Sequence, residues 1–456
     1  EIQQSDWSSD VCSSDLTNPI TPNHMSIYWH DYTAHAKNIP AIQSGLSEKS
    51  SLIGRVGLIL LSCGTGAWRV RSSMNTLAEE LGITCNANIG LLSIDYSCFD
   101  GKNSVSHSLS LSSTGVNTSK LDRMERFVNN FARFGKEMTV GQLHSQLDEI
   151  DKIHGHYSPA MLGLASALAC CAFCFLLGGG VIEMLCTFLG AGAGNYLRAR
   201  LTRRHYTLFL CIMSSVALAC LVYAGSIQLI EEIFSVSSSH EAGYICSMLF
   251  IIPGFPFITS GIDFAKQDMR SGLERLIYAV MIIVVATVTA WAMALLLNLQ
   301  PEEFPSLALS PVLLFFLRLA ASFCGVFGFS IMFNSPIPLA ASAAWIGMIA
   351  NTLRLELVDL LSCPPAVAAF LGALTAGLLS SLIQKPLGYP RISITVPSIV
   401  IMVPGLYLYR AVYNLGEMSL GDSASWLASA LLIVLALPLG LVFARIFTDR
   451  SFRHCT

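Results

Sequence analysis

Polar and apolar positions divide the chain in two. After Ser158 the apolar residues gather into long stretches separated by short polar loops. A helix of about 20 apolar residues crosses the hydrocarbon core of a bilayer. Ten such segments are expected, near residues 159–177, 180–196, 207–230, 243–261, 275–298, 311–333, 336–353, 364–383, 392–410 and 424–447, of which the second and seventh are marginal in length. Residues from about 50 to 156 follow a different rule. Val56, Ile59, Leu60, Cys63, Ala67, Val70, Met74, Leu77, Ala78 and Leu81 recur at three- and four-residue steps, the stripe of an amphipathic helix. β-like stretches at 89–94 and 105–111 flank an Asp100-Gly101 turn, a hairpin signal. A second helix carries Leu121, Met124, Phe127, Val128 and Phe131. A third opens at Thr139 with Gln142 three residues later, the spacing of a capping box, and carries Leu143, Leu147 and Ile150.

The apolar part repeats. Ile251-Ile252-Pro253-Gly254-Phe255 and Met402-Val403-Pro404-Gly405-Leu406 are each interrupted by Pro-Gly and lie 151 residues apart (404 − 253). Asn195-Tyr196-Leu197-Arg198 returns as Asn351-Thr352-Leu353-Arg354, 156 residues on (351 − 195). Matched, interrupted membrane segments in two halves point to the binding site of a transporter, because freed backbone groups are tolerated where they line a cavity.

Loop charge gives a direction. Arg198, Arg200, Arg203 and Arg204 follow the second segment; Lys266, Arg270 and Arg275 follow the fourth; Lys385 and Arg391 follow the eighth; Arg445, Arg450 and Arg453 end the chain. The alternate loops carry Glu231, Glu232, Glu241, Glu302, Glu303, Glu417 and Asp422. Ten spans with both termini in the cytoplasm satisfy the positive-inside rule, with Arg354 the main exception. Five spans in each half make consecutive halves opposite in orientation. The expected fold is an all-α polytopic membrane protein of two inverted five-helix repeats, preceded by a small α+β cytoplasmic domain.

Composition agrees with this reading. Hydrophobic residues make up 53%, charged residues only 12%, and mean hydropathy is +0.58, where globular domains carry about 25% charge. The net charge of −3 argues against a nucleic-acid surface. Most of the 14 cysteines lie inside apolar stretches, where Cys behaves as a small hydrophobe. Cys171-x-x-Cys174 has no partner pair for zinc, and ordinary packing is the expectation. Residues 1–16 read as one frame of a sequencing-adapter oligonucleotide and are set aside as non-native. The remaining divisions are a flexible segment at 17–49, the α+β domain at 50–158, a first membrane module at 159–298, an extracytoplasmic linker at 299–310, a second module at 311–447 and a cytoplasmic tail at 448–456.

Candidate site residues follow from the breaks and from costly intramembrane polar groups. They are Glu183, Asn195, Pro253, Gly254, Asp263, Arg275, Asn334, Asn351, Pro404, Gly405 and Arg410. Asp263 and Arg410, one after each break, would together suit a zwitterion; Glu183 suits proton coupling or an amine; Asn195 and Asn351 would face each other across a pseudo-symmetry axis. Arg318 is expected to snorkel to the surface. Gly190-Ala191-Gly192-Ala193-Gly194 lies within a span and reads as close helix packing, not a phosphate loop. Ser62-Cys63-Gly64-Thr65-Gly66 is too weak for a nucleotide site, and His144, His154 and His156 have no ligand arrangement. A Ser-His-Asp triad among them would make the chain a membrane-anchored hydrolase, but no nucleophile is marked.

These residues resemble the bacterial threonine/serine exporter family over about residues 50–447. The motifs are Gly66-Ala67-Trp68-Arg69-Val70 with Leu81-Gly82; Leu177-Gly178-Gly179-Gly180 with Glu183; and Pro253-Gly254, Ser260-Gly261-Ile262-Asp263 and Ser271-Gly272-Leu273-Glu274-Arg275. The second half, with Phe333-Asn334 and Val403-Pro404-Gly405, is similar to the partner module, a separate protein in some relatives. Arg71 stands where the family pattern has an acid. The resemblance implies a non-enzymatic, cofactor-free, proton-coupled exporter of threonine and serine in the bacterial inner membrane. Split relatives imply small dicarboxylates such as succinate as the alternative. The implied partners are a small-molecule substrate, protons and the lipid bilayer, with no nucleic acid and with homo-oligomerisation left open.

Overall fold

The computed structural model describes residues 27–153, 155–234, 243–299, 304 and 309–454. The expected adapter segment, His154 and most of the 299–310 linker lie outside the described residues. From Ile27 the stretch expected to be flexible forms helical turns, among them α1 (Trp29–Tyr32). His30 Nε2 sits 2.8 Å from Asp148 Oδ2, which ties this stretch to the domain that follows.

The predicted single stripe from Val56 to Leu81 is two helices, α2 (Leu46–Ser62) and α3 (Ala67–Glu80). The break falls at Gly64, whose φ of +80° is left-handed, a conformation that glycine adopts at no steric cost. Both helices keep the buried stripe, so the apolar period survives a change of direction that it does not report. Strands β1 (Thr84–Ile89), β2 (Ser93–Phe99) and β3 (Ser104–Ser110) form an antiparallel sheet in that order. The Asp100-Gly101 turn joins β2 and β3 as expected, but the stretch expected at 89–94 falls mostly on the β1–β2 connection, and the strand before the turn is Ser93–Phe99. Strand β1 was not expected, because its buried positions, Cys85, Ala87 and Ile89, are mostly small. Helices α4 (Thr118–Asn130) and α5 (Val140–Asp151) complete the α+β domain, and Thr139 with Gln142 makes both bonds of a capping box.

Helices then follow one another: α6 (Pro159–Leu176), α7 (Val181–Arg203), α8 (Leu208–Phe234), α9 (Tyr244–Ser247), α10 (Gly254–Ala265), α11 (Met269–Leu297), α12 (Pro311–Met332), α13 (Ile337–Leu361), α14 (Pro365–Leu387), α15 (Arg391–Val400), α16 (Gly405–Gly416) and α17 (Leu420–Thr448). Six of them (α6, α8, α11, α12, α14 and α17) are long and apolar enough to cross a membrane, and two bent pairs raise the number to eight. Against the ten segments expected, α7 and α13 fall short. They are long, but α7 holds Glu183, Arg198, Arg200 and Arg203, and α13 holds Arg354, Glu356 and Asp359.

The two bent pairs match in detail. The segment running from α9 into α10 bends by 53° and that from α15 into α16 by 51°. Pro253 has φ −80° and ψ 58°, and Pro404 has φ −81° and ψ 58°. Left-handed Gln267 (φ 62°) and Met418 (φ 60°) end the two outgoing helices, 151 residues apart (418 − 267). Ser260 Oγ donates to the Gly272 carbonyl at 2.7 Å, and Ser423 Oγ donates to the Ala411 carbonyl at 2.7 Å. These are the same two positions, joined in the reverse direction. Helices α6 and α12 also start alike, each with Pro in its first turn and a capping serine, Ser158 or Ser310.

Candidate functional site

The breaks meet. A Cβ at Gly254 would lie 2.4 Å from Val400 and 3.2 Å from Val403, while a Cβ at Gly405 would lie 1.8 Å from Ile252 and 3.1 Å from Leu249. The contacts are reciprocal under the 151-residue offset, as in a two-fold contact. Glycine is required here because two backbones approach over a layer of β-branched and leucine side chains. Tyr244 and Tyr409, both fully buried, join their hydroxyls at 2.5 Å beside this plug.

A cavity lies on each side of the plug. The near cavity, about 180 Å³, is lined by the first break (Phe250–Pro256), Arg198, Arg275, Ile282, Phe329, Met332 and Phe333. Gly64, Leu91 and Thr114–Val116 of the α+β domain cover it. The far cavity, about 280 Å³, is lined by the second break (Ile401–Tyr407), Arg354, Trp426, Ile433, Phe173, Leu176 and Leu177. Every residue of one set named after the break has its counterpart in the other, at offsets of 151 (433 − 282) or 156 (354 − 198). The two cavities lie toward opposite ends of the long helices. Helix α12 ends against the α+β domain, where Thr118 N bonds the Phe333 carbonyl at 3.1 Å. Helix α6 starts there, its preceding Tyr157 hydroxyl bonding the Ser335 carbonyl at 2.7 Å. Its 18 residues carry the far cavity about 27 Å away at 1.5 Å per residue.

Asp263 and Arg275 form a buried lock on the near side. Arg275 Nε lies 3.1 Å from Asp263 Oδ2, with the two side chains 2% and 0% exposed. Ser271 Oγ donates to Asp263 Oδ2 at 2.9 Å. Ala67 N–H donates to Asp263 Oδ1 at 3.0 Å, and the guanidinium donates to the Gly64 and Thr65 carbonyls at 3.1 and 2.7 Å. The C-terminal turn of α10 and the start of α11 thus grip the α2–α3 turn. A low-dielectric site tolerates this pair because nearly every polar atom is satisfied. Arg71 joins the same interface, 2.5 Å from Asp268, which gives this position a docking partner across the domain boundary. Asn334, left-handed at φ 60°, accepts from His156 N at 2.7 Å and donates to Asn117 Oδ1 at 2.8 Å. The α+β domain therefore holds both membrane halves at once.

Other expectations change. Asp263 is not paired with Arg410: its partner is Arg275, and its counterpart in the repeat is Asn414 (414 − 263 = 151). Arg410 lies on the far cavity, stacked 4.8 Å over the Trp426 ring. Asn195 and Asn351 do not face each other. Each ties its own helix hairpin, Asn195 Nδ2 to the Leu162 carbonyl at 2.8 Å and Asn351 Nδ2 to Ser322 Oγ at 2.9 Å. Asn351 also lines the far cavity. Glu183 is buried in the first turn of α7, at the far end. Arg318 does not simply snorkel, since it pairs with Glu356 at 2.9 Å and with Asp359. The glycines of α7 are packing sites: a Cβ at Gly190 would meet the Ala219 carbonyl at 2.8 Å, and one at Gly194 the Ser215 carbonyl at 2.7 Å.

No hydrolytic triad forms around His144. Its Nε2 is 3.4 Å from Ser51 Oγ, but its Nδ1 faces the Arg55 guanidinium at 3.2 Å where a triad needs a carboxylate. Burial and then Arg55 push the imidazole down to about 3, so it is neutral. With Nδ1 accepting, its proton sits on the nitrogen that would have to take one from Ser51.

Sequence reasoning missed Arg198 and Arg354 as cavity residues. The repeated Asn-x-Leu-Arg string held them, but it was read for its asparagines. It also missed Trp426 and the docking carbonyls of Gly64 and Thr65, which leave no side-chain signal.

The family model described as "Putative threonine/serine exporter" matches residues 51–298, and that described as "Threonine/Serine exporter, ThrE" matches residues 318–447. The chain is 28% identical over 145 residues to the "Probable succinate transporter subunit YjjP" of Escherichia coli and 30% identical over 145 residues to that of Klebsiella aerogenes, in each case 30% of this chain and 54% of the relative. It thus spans about half the length of these curated relatives. No solved structure matches. Members of the matched family are transporters rather than enzymes, and both family models fall on the described helices. This chain is a multi-pass membrane protein that belongs to the threonine/serine exporter family.

Proposed function

We propose that the protein is a secondary exporter of small amino acids, threonine or serine, in the bacterial inner membrane. The observation that carries this reading is the pair of matched bent helices with a cavity at each end and a plug between. Such a layout suits alternating access, in which two equivalent halves exchange conformations about a central site. In this reading α7 and α13 also span, which makes ten spans as two inverted five-helix repeats. The reciprocal glycine contacts and the equivalent residues Leu176 and Met332, on different cavities, support the inversion. The near side is cytoplasmic, as are both termini, in keeping with the basic loops. The α+β domain acts as an inner gate, held shut by Asp263, Arg275 and Asn334.

At the far cavity, Arg410 and the first-turn amides of α16 meet the substrate carboxylate, since the helix dipole favours an anion there. Asp263, Arg275 and Asn334 serve the gate, so Glu183 is the remaining carboxylate for proton coupling. A small dicarboxylate such as succinate is the second reading. Two arginines on one cavity, Arg354 and Arg410, favour it, as does the succinate transporter subunit named for the relatives.

Counterflow in proteoliposomes with labelled threonine, serine and succinate, with and without a pH gradient, tests these readings. Threonine or serine exchange that responds to the gradient is expected, with Glu183→Gln exchanging but no longer responding. Succinate exchange alone overturns the amino-acid reading, and no exchange of any of the three overturns the transport reading.

A further inference from the structure

The repeat places one arginine of each half at the mouth of a different cavity. Arg198 in α7 lines the near cavity, and Arg354, 156 residues later (354 − 198), lines the far one. Each is partly buried. Two arginines of the interior are paired with carboxylates, Arg275 with Asp263 and Arg318 with Glu356 and Asp359, and buried Arg391 is held by the Thr448 hydroxyl and the Gly377 carbonyl. Among the described residues no carboxylate pairs with Arg198 or Arg354. Arg354 Nη1 makes one long bond, 3.4 Å to the Met402 carbonyl at the second break. A guanidinium held in an apolar span without an anion is costly, and such residues face a water-filled path or a ligand.

Two further features converge on the same cavities. Helices α10 and α16, each 12 residues long, begin at the breaks and line the near and far cavities with their first turns. Gly254 and Gly405 N–H bond the Ile252 and Val403 carbonyls at 2.8 Å and Pro256 has no N–H, so the first-turn amides without an intrahelical acceptor are Phe255 in α10 and Leu406 and Tyr407 in α16, at the positive end of each dipole. At the far cavity, Asn351 sits one turn before Arg354, is 1% exposed, and leaves its Oδ1 without a hydrogen-bond donor among the described residues. An acceptor buried that deeply is normally satisfied.

We propose that Arg198 and Arg354 are a matched pair of carboxylate-binding residues, one at each end of the transport path, which hold the substrate's carboxylate in turn as the plug between them opens and closes. A guanidinium offers two parallel donors to a carboxylate, and the first-turn amides of α10 or α16 add their dipole. At the far end Arg354 shares the carboxylate with Arg410, and the Asn351 Oδ1 accepts from the substrate's ammonium or hydroxyl group. The ligand class is a small carboxylate with a hydrogen-bond donor or a second carboxylate nearby, which fits cavities of 180 and 280 Å³. This inference rests on the transport reading.

The test uses the full chain in proteoliposomes, with protein orientation measured by protease access to the α+β domain. Half-saturation is measured from each side with threonine and succinate, and with threoninamide and succinamide as competitors that lack the charge. Arg354→Gln should raise half-saturation for the acids about 10- to 100-fold from the far side, weaken the preference for acid over amide there, and leave the near side within about threefold. Arg198→Gln should do the mirror image. Lysine at either position keeps the charge without the two-pronged geometry, so it should give a smaller rise and retain the preference for acid. Folded Gln variants with wild-type constants overturn the inference and leave the transport reading standing. An equal rise from both sides with the acid preference intact points to a structural role and overturns it too. If the Gln variants do not fold, Lys variants with unchanged constants on both sides decide against it. A wild-type chain that moves neither acid overturns both.

Discussion

The near and far cavities are built from equivalent positions and serve different ends. On the near side the position 12 residues after Asp263 is Arg275, and the two are locked together under the α+β domain. On the far side the equivalents are Asn414 and Trp426, and the charge comes instead from Arg410, stacked on Trp426. The backbone repeats closely, down to ψ 58° at both prolines, whereas the side chains have diverged. Symmetry in this molecule lies in the helices and the plug, where geometry is demanding. Asymmetry lies at the ends, where one face has acquired a domain to hold.

That contrast makes unequal predictions. Arg275→Gln should strip the buried Asp263 of its partner and cost about 3–5 kcal/mol, seen as a lowered melting temperature in detergent and rapid proteolysis of the α2–α3 turn. Trp426→Ala, its counterpart, removes a cation–π contact worth about 1 kcal/mol beyond packing and should leave the proteolysis pattern unchanged. Equal sensitivity of the two sites would erase the distinction between a locked end and an open one. Next in size is the plug. Gly405→Ala forces a Cβ to 1.8 Å from Ile252 Cδ1, an overpacking of about 1–3 kcal/mol, and should stop exchange; Ile252→Ala in the same chain should restore part of it. Failure of that rescue would mean that the two breaks do not bear on one another.

Smaller effects come from the docking of the domain. Asn334→Gly keeps the left-handed backbone but loses two hydrogen bonds, so proteolysis of the domain should rise in step with a loss of about 1–2 kcal/mol. Acid acts inside the domain. His144 is held neutral, its folded value near 3 against an ordinary 6.5. The unfolded chain therefore binds this proton first, and its stabilising contribution is complete above pH 6.5 and lost as pH falls toward 3. Between pH 6.5 and 5.5 the domain should lose about 1 kcal/mol, with His144→Gln flattening that slope in a melting series. A slope of opposite sign would mean that His144 is charged in the folded domain.

Much of this organisation was legible in the residues. Pro253-Gly254 and Pro404-Gly405 announce broken helices because proline cannot donate and glycine permits close approach. The Thr139 capping box was readable from three-residue spacing. What escaped shares a cause: it depends on which backbone lies across from a side chain. The apolar stripe from Val56 to Leu81 hides the turn at Gly64, since periodicity registers burial and not direction. The Asp263–Arg275 pair spans a helix end and a left-handed Gln267, and half of its partners are carbonyls of another domain. Arg198 and Arg354 were visible as a repeat, but each cavity is completed by three residues of the other half, Phe329, Met332 and Phe333 or Phe173, Leu176 and Leu177, and had no local signature.

The central claim is that repeat-equivalent positions open to opposite faces of the membrane. Leu176→Cys and Met332→Cys, 156 residues apart (332 − 176) and lining the far and near cavities, test it most directly. Each is placed singly in a chain whose native cysteines are replaced, and right-side-out and inside-out vesicles are treated with a membrane-impermeant thiol reagent. The inverted arrangement predicts that Cys at 176 reacts only from the outer face and Cys at 332 only from the inner face. Labelling of both from the same face would contradict it.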